Sequence, residues 1–439
     1  MRMKSVLMAA AAAGSLLVVG GTSAQAQTPQ SSSTGDFLTS ADFSTIIYGR
    51  RNNVAVRERP RPEYEALGVR QGSFLIYPKV EVGAGWTDNI FAVENNPQDD
   101  TFVNIDPSIM AQSQWSLHAL RLSAGLRHHE VLENSSESQT GYFASAEGRY
   151  DATPYLTVAG RAGGNRRFED RGSTNSPTGT AEPIEVTTLN GGSTVTLQRG
   201  RVRALGAVDY AAFDYADSRS TTGAEIDQDF RDQAVLRATG RGEYSISPDT
   251  ALLGVVSYTR TDYDTDTALL NRDSDEVRGL VGANFDLTAL MRGEVGVGYI
   301  SREYENAAYG SLDGLAALAR LEYFPTQLVT VTGTLRRAID DSTTPGSGGF
   351  FTNSATLTAD YELLRNLIVG GRLDYRLDEF EGLDREDRST SATVGAQYLI
   401  NRNIGLGATA SYTDRSSKGV AAGPEYDAVR VIFSIVFQR

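Results

Sequence analysis

Two adjacent histidines and a glutamate, His128-His129-Glu130, form the stretch of the sequence that most resembles a metal site. Imidazole nitrogens and carboxylate oxygens are common metal ligands. Neighbouring residues of a strand point to opposite faces, however, so the two imidazoles could share one ion only at a bend. His118 is the one other histidine of the chain. We therefore predict no metal site and no cofactor.

An acidic stretch, DYDTDTALLNRDSDE, is the second candidate for chemistry. Hard cations such as calcium bind several carboxylate and carbonyl oxygens, but the spacing here matches no dedicated calcium loop. A solvated surface loop is the favoured interpretation, and divalent bridging to lipid phosphates is the alternative. The aspartates concerned are Asp262, Asp264, Asp266, Asp273 and Asp275.

Catalytic residue types are present without a catalytic arrangement. Serine, histidine and acidic residues all occur, but the chain has no G-x-S-x-G motif. No segment shows sustained helical spacing, so nothing would support a nucleophile elbow. We therefore predict that the protein is not an enzyme.

Charged residues that alternate with apolar ones are the more promising candidates. If the apolar residues face lipid, the charges face the interior of a barrel, where mixed rings of charge could line a water-filled pore and set its selectivity. The alternative is a lumen closed by its own salt bridges or by the N-terminal segment. The predicted lumen-facing charges are Lys79, Glu81, Asp106, Arg121, Arg127, Arg149, Arg161, Arg203, Arg237 and Arg241.

Extended segments with a period of two residues supply the elements that would position these charges. In SFLIYPKVEVGAGW, Val80, Val82 and Trp86 fall on one face while Lys79 and Glu81 fall on the other, the pattern of a strand between two environments. Such segments run for about 10 to 14 residues, which suits a tilted crossing of a bilayer. Strands of soluble sandwiches are commonly about 5 to 6 residues long.

The connections between these segments alternate between short turns and long polar loops. Transmembrane barrels have short turns on the periplasmic side and long loops outside. The sequence therefore predicts an all-β protein, with residues 73–439 forming a single transmembrane antiparallel up-and-down barrel of about 18 strands (16–20). A secreted set of β-sandwich or propeller domains is the soluble alternative.

The first residues indicate export from the cytoplasm. A basic start, an apolar run and the A-x-A sequence Ala24-Gln25-Ala26 predict a signal peptide over residues 1–26. With no cysteine in the chain, disulfides and a lipoprotein anchor are excluded. Residues 27–72, rich in proline and charge, are predicted to be a flexible periplasmic segment, with a plug or docking arm as alternatives to a plain linker.

Overall charge limits the class of partner. The formal net charge is −14, and losing Arg2 and Lys4 with the signal peptide would make it more negative by two. Phosphate contacts supply most nucleic-acid affinity, so an acidic chain is not expected to bind nucleic acid. Outer-membrane lipids are the expected surroundings.

The final strand, YDAVRVIFSIVFQR, has an apolar face formed by Val431, Phe433, Ile435 and Phe437. Sheet edges are normally blunted by charge, so this strand is predicted to pair with the first one and close the barrel. Its texture also resembles the sorting signal that the outer-membrane insertion machinery reads, although Gln438 and Arg439 follow the last aromatic residue.

Several motifs resemble the outer-membrane beta-barrel porin family of type 2. They are R-P-R-P-E-Y-x-x-L-G-x-R at 59–70, G-S-F with Pro78, D-N-I-F-A at 88–92, W-S-x-H-A at 115–119 and F-E-D-R-G-S at 168–173. The resemblance extends from about residue 54 onward and is most specific over residues 54–125. It implies an outer-membrane barrel of a Gram-negative bacterium and a role connected with exopolysaccharide production and export. It implies no catalytic or ligand site.

Three functions remain open at this point. The first is a passive conduit linked to export of surface polysaccharide, with polysaccharide export components as partners. The second is a non-conducting structural or assembly partner of an export machine. The third is a general diffusion porin.

The C-terminal strand yields a prediction about assembly. Changing Phe437 to aspartate should impair insertion because it places a charge on the apolar face of the closing strand. Removing Gln438 and Arg439 should leave assembly intact, since both lie beyond the last aromatic residue. Heat-modifiable migration of outer-membrane fractions measures folding, and normal folding of the Phe437→Asp variant would contradict the prediction.

Overall fold

The computed structural model describes residues 54–265, 271–287 and 290–439. The predicted signal peptide lies outside these residues. Because apolar and polar residues alternate over long stretches, nearly all regular secondary structure of the described residues is strand. The strands are β1 (Val69–Gln71), β2 (Phe74–Thr87), β3 (Asp100–Ser113), β4 (Ala119–Val131), β5 (Gln139–Thr153), β6 (Leu156–Phe168), β7 (Glu185–Arg199), β8 (Val202–Tyr215), β9 (Ser218–Arg219), β10 (Glu225–Ile226), β11 (Gln233–Ser247), β12 (Thr250–Tyr263), β13 (Ser274–Leu287), β14 (Met291–Tyr304), β15 (Leu312–Thr326), β16 (Val329–Asp341), β17 (Gly349–Leu364), β18 (Leu367–Phe380), β19 (Glu386–Leu399), β20 (Ile404–Lys418) and β21 (Tyr426–Gln438).

Eighteen of these strands, β2 to β8 and β11 to β21, form one closed antiparallel barrel. Each pairs with the next along the chain, and β8 pairs directly with β11 because the β9–β10 hairpin belongs to a loop. The predicted up-and-down barrel of about 18 strands is confirmed. Three short 3-10 turns, Val56–Glu58, Ser135–Glu137 and Asp229–Arg231, complete the secondary structure of the described residues. None of the described helical turns is long and apolar enough to cross a membrane.

The seam of the barrel joins β2 to β21 in antiparallel register, with Ala84 opposite Phe433 and Trp86 opposite Val431. At the other end of the seam, the Arg439 N–H donates to the Pro78 carbonyl at 3.2 Å. Beyond that point β2 has no partner on β21, and β1 pairs with it instead, with Val69 opposite Ile76. Every part of the edge of β2 is therefore covered, which removes a site for unwanted strand pairing.

The outer wall of the barrel is apolar. On β21, Phe433, Ile435 and Phe437 are exposed on the outer face, as are Leu315 on β15 and Val297 on β14. Exposed tryptophans and tyrosines form one girdle toward each rim, the arrangement expected at the two membrane interfaces. The girdle near the long loops contains Trp86, Tyr142, Tyr210, Tyr258, Tyr299, Tyr375 and Tyr412, and the opposite girdle contains Trp115, Tyr150, Tyr155, Tyr244, Tyr323, Tyr361 and Tyr398.

The connections divide between the two ends as the sequence pattern predicts. We call the end with the short turns the inner end, because such turns face the periplasm in outer-membrane barrels, and the end with the long loops the outer end. The described residues of the outer connections are 88–99, 132–138, 169–184, 216–232, 264–265 with 271–273, 305–311, 342–348, 381–385 and 419–425.

Candidate functional site: the lumen and its two mouths

The lumen-facing charges predicted on β2 to β6 lie along one half-exposed wall of the interior. Five of them take part in four ion pairs, with Lys79–Glu81 at 3.0 Å and Arg149–Asp151 at 3.1 Å as examples. Asp106 lies opposite Glu81 in the β2–β3 register, and the Arg127 guanidinium lies 5.4 Å from the Phe143 ring centroid. The other two pairs are Arg121–Glu147 at 4.0 Å and Arg161–Asp209 at 2.6 Å.

Arg203, Arg237 and Arg241, on β8 and β11, are buried instead of lining open space. Arg241 donates to Glu243 at 2.6 Å and to Glu294 at 2.6 and 2.8 Å. Because β12 and β13 separate β11 from β14, only the concave interior can bring Arg241 and Glu294 together. Arg203 lies 3.6 Å from Glu243, and Arg237 donates to Ser257 at 3.4 Å.

This buried network continues around the wall from β13 to β20. Arg302 pairs with Glu276 at 2.7 Å and with Asp341 at 2.6 Å. A buried charge is tolerated only when a partner of opposite sign and further hydrogen bonds satisfy it, and the arginine fork supplies several donors at once. Further pairs of this network are Arg292–Glu322, Arg376–Asp340, Arg376–Asp378, Arg385–Asp387 and Arg415–Asp387. One half of the lumen is therefore closed by its own salt bridges.

The outer tip of the β16–β17 hairpin folds into the barrel. Pairing of β16 with β15 ends at Arg337 opposite Ala317, so the last residues of β16 leave the wall. The Ile339 carbonyl then accepts a hydrogen bond from Arg302 on β14 at 3.3 Å, across the inner face of β15. An apolar cluster fixes the tip; its buried members are Leu253, Val255, Leu280, Ile300, Leu312, Ala316, Leu318, Ile339 and Phe351.

Residues 169–184, the loop between β6 and β7, reach across the outer mouth to the opposite wall. Thr174 Oγ1 donates to Asp378 on β18 at 2.8 Å, and Asn175 Nδ2 donates to the Asp341 carbonyl at 2.9 Å. The Gly172 carbonyl accepts a hydrogen bond from Arg415 on β20. The sequence pattern predicted these polar stretches as outer loops, but it gave no sign that they fold inward.

Arginines anchor residues 169–184, which we call the crossing loop, at the base of this loop. Arg231 forms a bidentate pair with Glu169 at 2.7 and 3.0 Å, and its guanidinium lies 4.1 Å from the Tyr215 ring centroid. Burial lowers the pKa of Arg231, but Glu169 and Tyr215 outweigh that effect and the pKa is raised. Arg171 donates to Glu137 at 2.6 Å. The F-E-D-R-G-S motif thus supplies the anchors that hold this loop.

The inner mouth is bordered by the described part of the N-terminal segment. We call residues 54–62 the arm. The Val56 N–H donates to Thr330 Oγ1 at 3.0 Å, and Arg57 donates to Asp360 at 2.6 Å. From there the arm follows the inner rim, where the Pro62 carbonyl accepts from Arg402 at 3.0 Å, and leads to β1.

The histidines and aspartates first considered for metal binding do not come together as a group of metal ligands within the described residues, although His128 Nε2 lies 3.4 Å from Glu130. His129 Nδ1 is 2.6 Å from Asn104 Oδ1, whereas His128 Nδ1 is 2.8 Å from Thr140 Oγ1 on the other face of the strand. Arg260 pairs with both Asp262 and Asp275 at 2.7 and 3.1 Å. Tyr263 N–H donates to Asp273, and Asp266 lies outside the described residues. Within the described ranges, the one group of three carboxylates close enough to hold a metal ion is the exposed Asp217, Asp227 and Asp229, and exposed acidic groups are common without an ion.

Asp232, between the outer loop 216–232 and β11, has an unusual environment. Burial raises the pKa of its carboxyl to about 7. Its Oδ1 accepts the Tyr215 N–H at 2.7 Å, which lowers the pKa, but repulsion from nearby carboxylates raises it. These neighbours are Asp214, Asp229 and Asp264.

Comparison with protein families gives a match over most of the chain. The model of a family described as Putative beta-barrel porin 2 matches residues 61–439. Among curated proteins, no significant match to the sequence was found.

Solved structures of outer-membrane proteins from Pseudomonas aeruginosa show limited similarity. They include a mutant of the ferric enterobactin receptor PfeA with enterobactin, at 9% identity and a TM-score of 0.48, covering 85% of this chain and 82% of that one. The siderophore receptor PirA has 9% identity, a TM-score of 0.45 and coverage of 83% and 80%. The outer membrane protein OpdK has 11% identity, a TM-score of 0.43 and coverage of 83% and 99%.

The environment of Asp232 predicts a pH-dependent outer loop. In the folded protein Asp232 gains a proton near pH 7, whereas an unfolded loop gains it only near about pH 4. Protonation therefore stabilises the loop as the pH falls through 7, and this stabilisation is lost as the pH rises. Amide-exchange protection factors of residues 216–232 should be higher at about pH 5.5 than at about pH 8.5.

Two variants test the assignment to Asp232. The Asp232→Asn variant should show the high amide-exchange protection of the low-pH state at both pH values, because asparagine carries no titratable group. Glu94→Gln, in the outer loop 88–99, should behave as the unmodified protein. The same pH dependence in Asp232→Asn as in the unmodified protein would refute the prediction.

Proposed function

Because this chain belongs to the Putative beta-barrel porin 2 family of outer-membrane barrels, we propose that it acts as a passive conduit for polar solutes across the outer membrane. One observation carries the proposal. The wall formed by β2 to β6 keeps its charged residues half-exposed inside the barrel, whereas those from β8 to β18 are largely buried against one another.

Small side chains support this location of the path. Inward positions of β4 to β6 include the small residues Ser123, Ser145 and Gly163, which lie side by side in the register and extend little into the interior. Polar groups and mixed charges along such a wall replace part of the hydration of a passing solute without binding it tightly. No chemical step is needed, so the proposed activity is not enzymatic.

The narrowing of the mouths favours a selective conduit over a general diffusion porin. The crossing loop and the inward-folded β16–β17 tip occupy one side of the outer mouth, and the arm borders the inner one. A barrel filled on one side passes a narrower range of solutes than an empty one of the same strand number.

A connection with surface polysaccharide export is a finer proposal that depends on the family resemblance. A wall that carries charged and polar side chains suits a hydroxyl-rich chain or its fragments. In this proposal the partners are polysaccharide export components, and assembly uses the outer-membrane insertion machinery through β21. A non-conducting assembly role is the competing proposal.

Single-channel recording tests the conduit. The purified barrel should conduct in discrete steps, and Asp106→Asn should shift its ion preference toward anions at about pH 8. A carboxylate about 8 Å from a passing ion attracts a cation and repels an anion by about 0.5 kcal/mol each in water, so its removal should change the cation-to-anion permeability ratio roughly fivefold. Glu303→Gln, at an exposed outward-facing position on β14, is the matched control. Absence of conductance in every variant, including one without the crossing loop, would refute the conduit.

Deletion of the gene separates the export proposal from general diffusion. Loss of surface polysaccharide, restored by the unmodified protein, supports the export link. A non-conducting but folded variant that also restores the polysaccharide would instead support the assembly role. Normal polysaccharide in the deletion strain would exclude both export-linked roles.

A further inference from the structure

Two acidic residues at the inner end of β17, Asp360 and Glu362, share one face of the strand and point into the barrel. Both are buried, with exposures of 9% and 5%. A pair of buried carboxylates requires cationic partners, since an uncompensated buried charge is strongly destabilising. Among the described residues of the barrel strands and turns, the cation paired with Glu362 is Arg365, at the long distance of 3.7 Å.

The arm supplies the missing charge. Arg57 pairs with Asp360 at 2.6 Å, while Arg59 and Arg61 both pair with Glu362, at 2.9 and 2.8 Å. Because the arginines alternate along the arm, all three reach the same strand. The two-residue spacing of these arginines matches that of the two acids, Asp360 and Glu362.

The remaining contacts of the arm resemble those of a bound peptide. Val56 is completely buried and its N–H donates to Thr330 Oγ1. Arg61 folds back to the Val56 carbonyl at 2.8 Å, and the Pro60 carbonyl accepts from Arg365 at 2.8 Å. None of residues 54–62 pairs in a strand with the barrel. The arm is therefore held by ion pairs, a few hydrogen bonds and one apolar anchor.

We propose that Asp360, Glu362 and Thr330 form a receptor site for an arginine-bearing peptide, with the arm as its resident occupant. When the arm is bound, its arginines neutralise the acids and narrow the inner mouth. When the arm is displaced, the mouth widens and presents two carboxylates to the lumen, which favours cations. The site thereby sets the charge preference of the inner mouth; the conductance consequence rests on the proposed conduit function, whereas the binding site does not.

Peptide binding tests the site directly. In a full-length barrel carrying R57E, R59E and R61E, the altered arm should be repelled from Asp360 and Glu362. Heat-modifiable migration checks that this variant is folded. A labelled peptide of residues 54–65 should then bind, measured by fluorescence anisotropy, and salt should weaken the binding. Replacing the three arginines of the peptide by glutamine should weaken binding at least about tenfold. Each charge-assisted hydrogen bond that is lost makes the free energy of binding less favourable.

The R70E variant is the matched control. Arg70 lies in the same N-terminal segment, and its exposed side chain donates to the Gly72 carbonyl at 3.4 Å and not to Asp360 or Glu362. The arm of R70E should remain in place, so the peptide should bind this barrel at least about tenfold more weakly than the triple variant. Equal binding to the two barrels, or equal binding of the arginine and glutamine peptides, would overturn the proposal.

Recording of the same proteins tests the effect on the mouth. The triple variant should show a higher conductance and a stronger cation preference than R70E, and added 54–65 peptide should reverse both changes. The double variant R57D/D360R should restore the ion preference that each single substitution, R57D or D360R, changes. Conductance that is identical in all variants would refute the proposal but not the conduit. If no variant conducts, the conduit is refuted. The peptide-binding measurement alone then tests the receptor site.

Discussion

The structure depends on one constraint: inside a bilayer, every backbone N–H and C=O must find a partner within the protein. A sheet satisfies this constraint only by closing on itself, so β2 must meet β21 in a fixed register. Closure requires just every second residue to be apolar, which is how a membrane protein reaches a mean hydropathy of −0.29. The pairing of β1 with the remaining edge of β2 extends the same requirement past the membrane boundary.

Closure also places charged side chains in the interior, where each must be hydrated or paired. Alternation places polar residues on the inner face whether or not water fills the space beside them. On β2 to β6 that space is open and the charges remain half-exposed. From β8 onward, inward-folded segments exclude water, and arginines such as Arg241 and Arg302 must each satisfy two carboxylates. The near-absence of lysine fits this demand, since a guanidinium offers more fixed donors than an ammonium.

Alternation and loop rhythm were enough to predict the architecture, because a side-chain period of two identifies both strand and face. The partners of Arg203, Arg237 and Arg241 could not be predicted, because they depend on strand register and, for Arg241, on Glu294 three strands away. The inward course of residues 169–184 and of the β16–β17 tip was equally hidden, since loop sequences carry no period. One signal did exist: the F-E-D-R-G-S and R-P-R-P-E-Y motifs place Glu169, Arg171 and Arg61 at the anchors of the loop and the arm.

The seam has a kinetic consequence. Asp88 accepts the Val429 N–H at 2.7 Å across a separation of 341 residues. All residues paired between β2 and β21 are similarly far apart along the chain. Contacts so distant along the chain form slowly, because the entropy of closing the intervening loop must be overcome first. Until they form, two long edges with apolar faces are available to other chains. The late joining of its two ends therefore makes this barrel most vulnerable to aggregation just before it is complete.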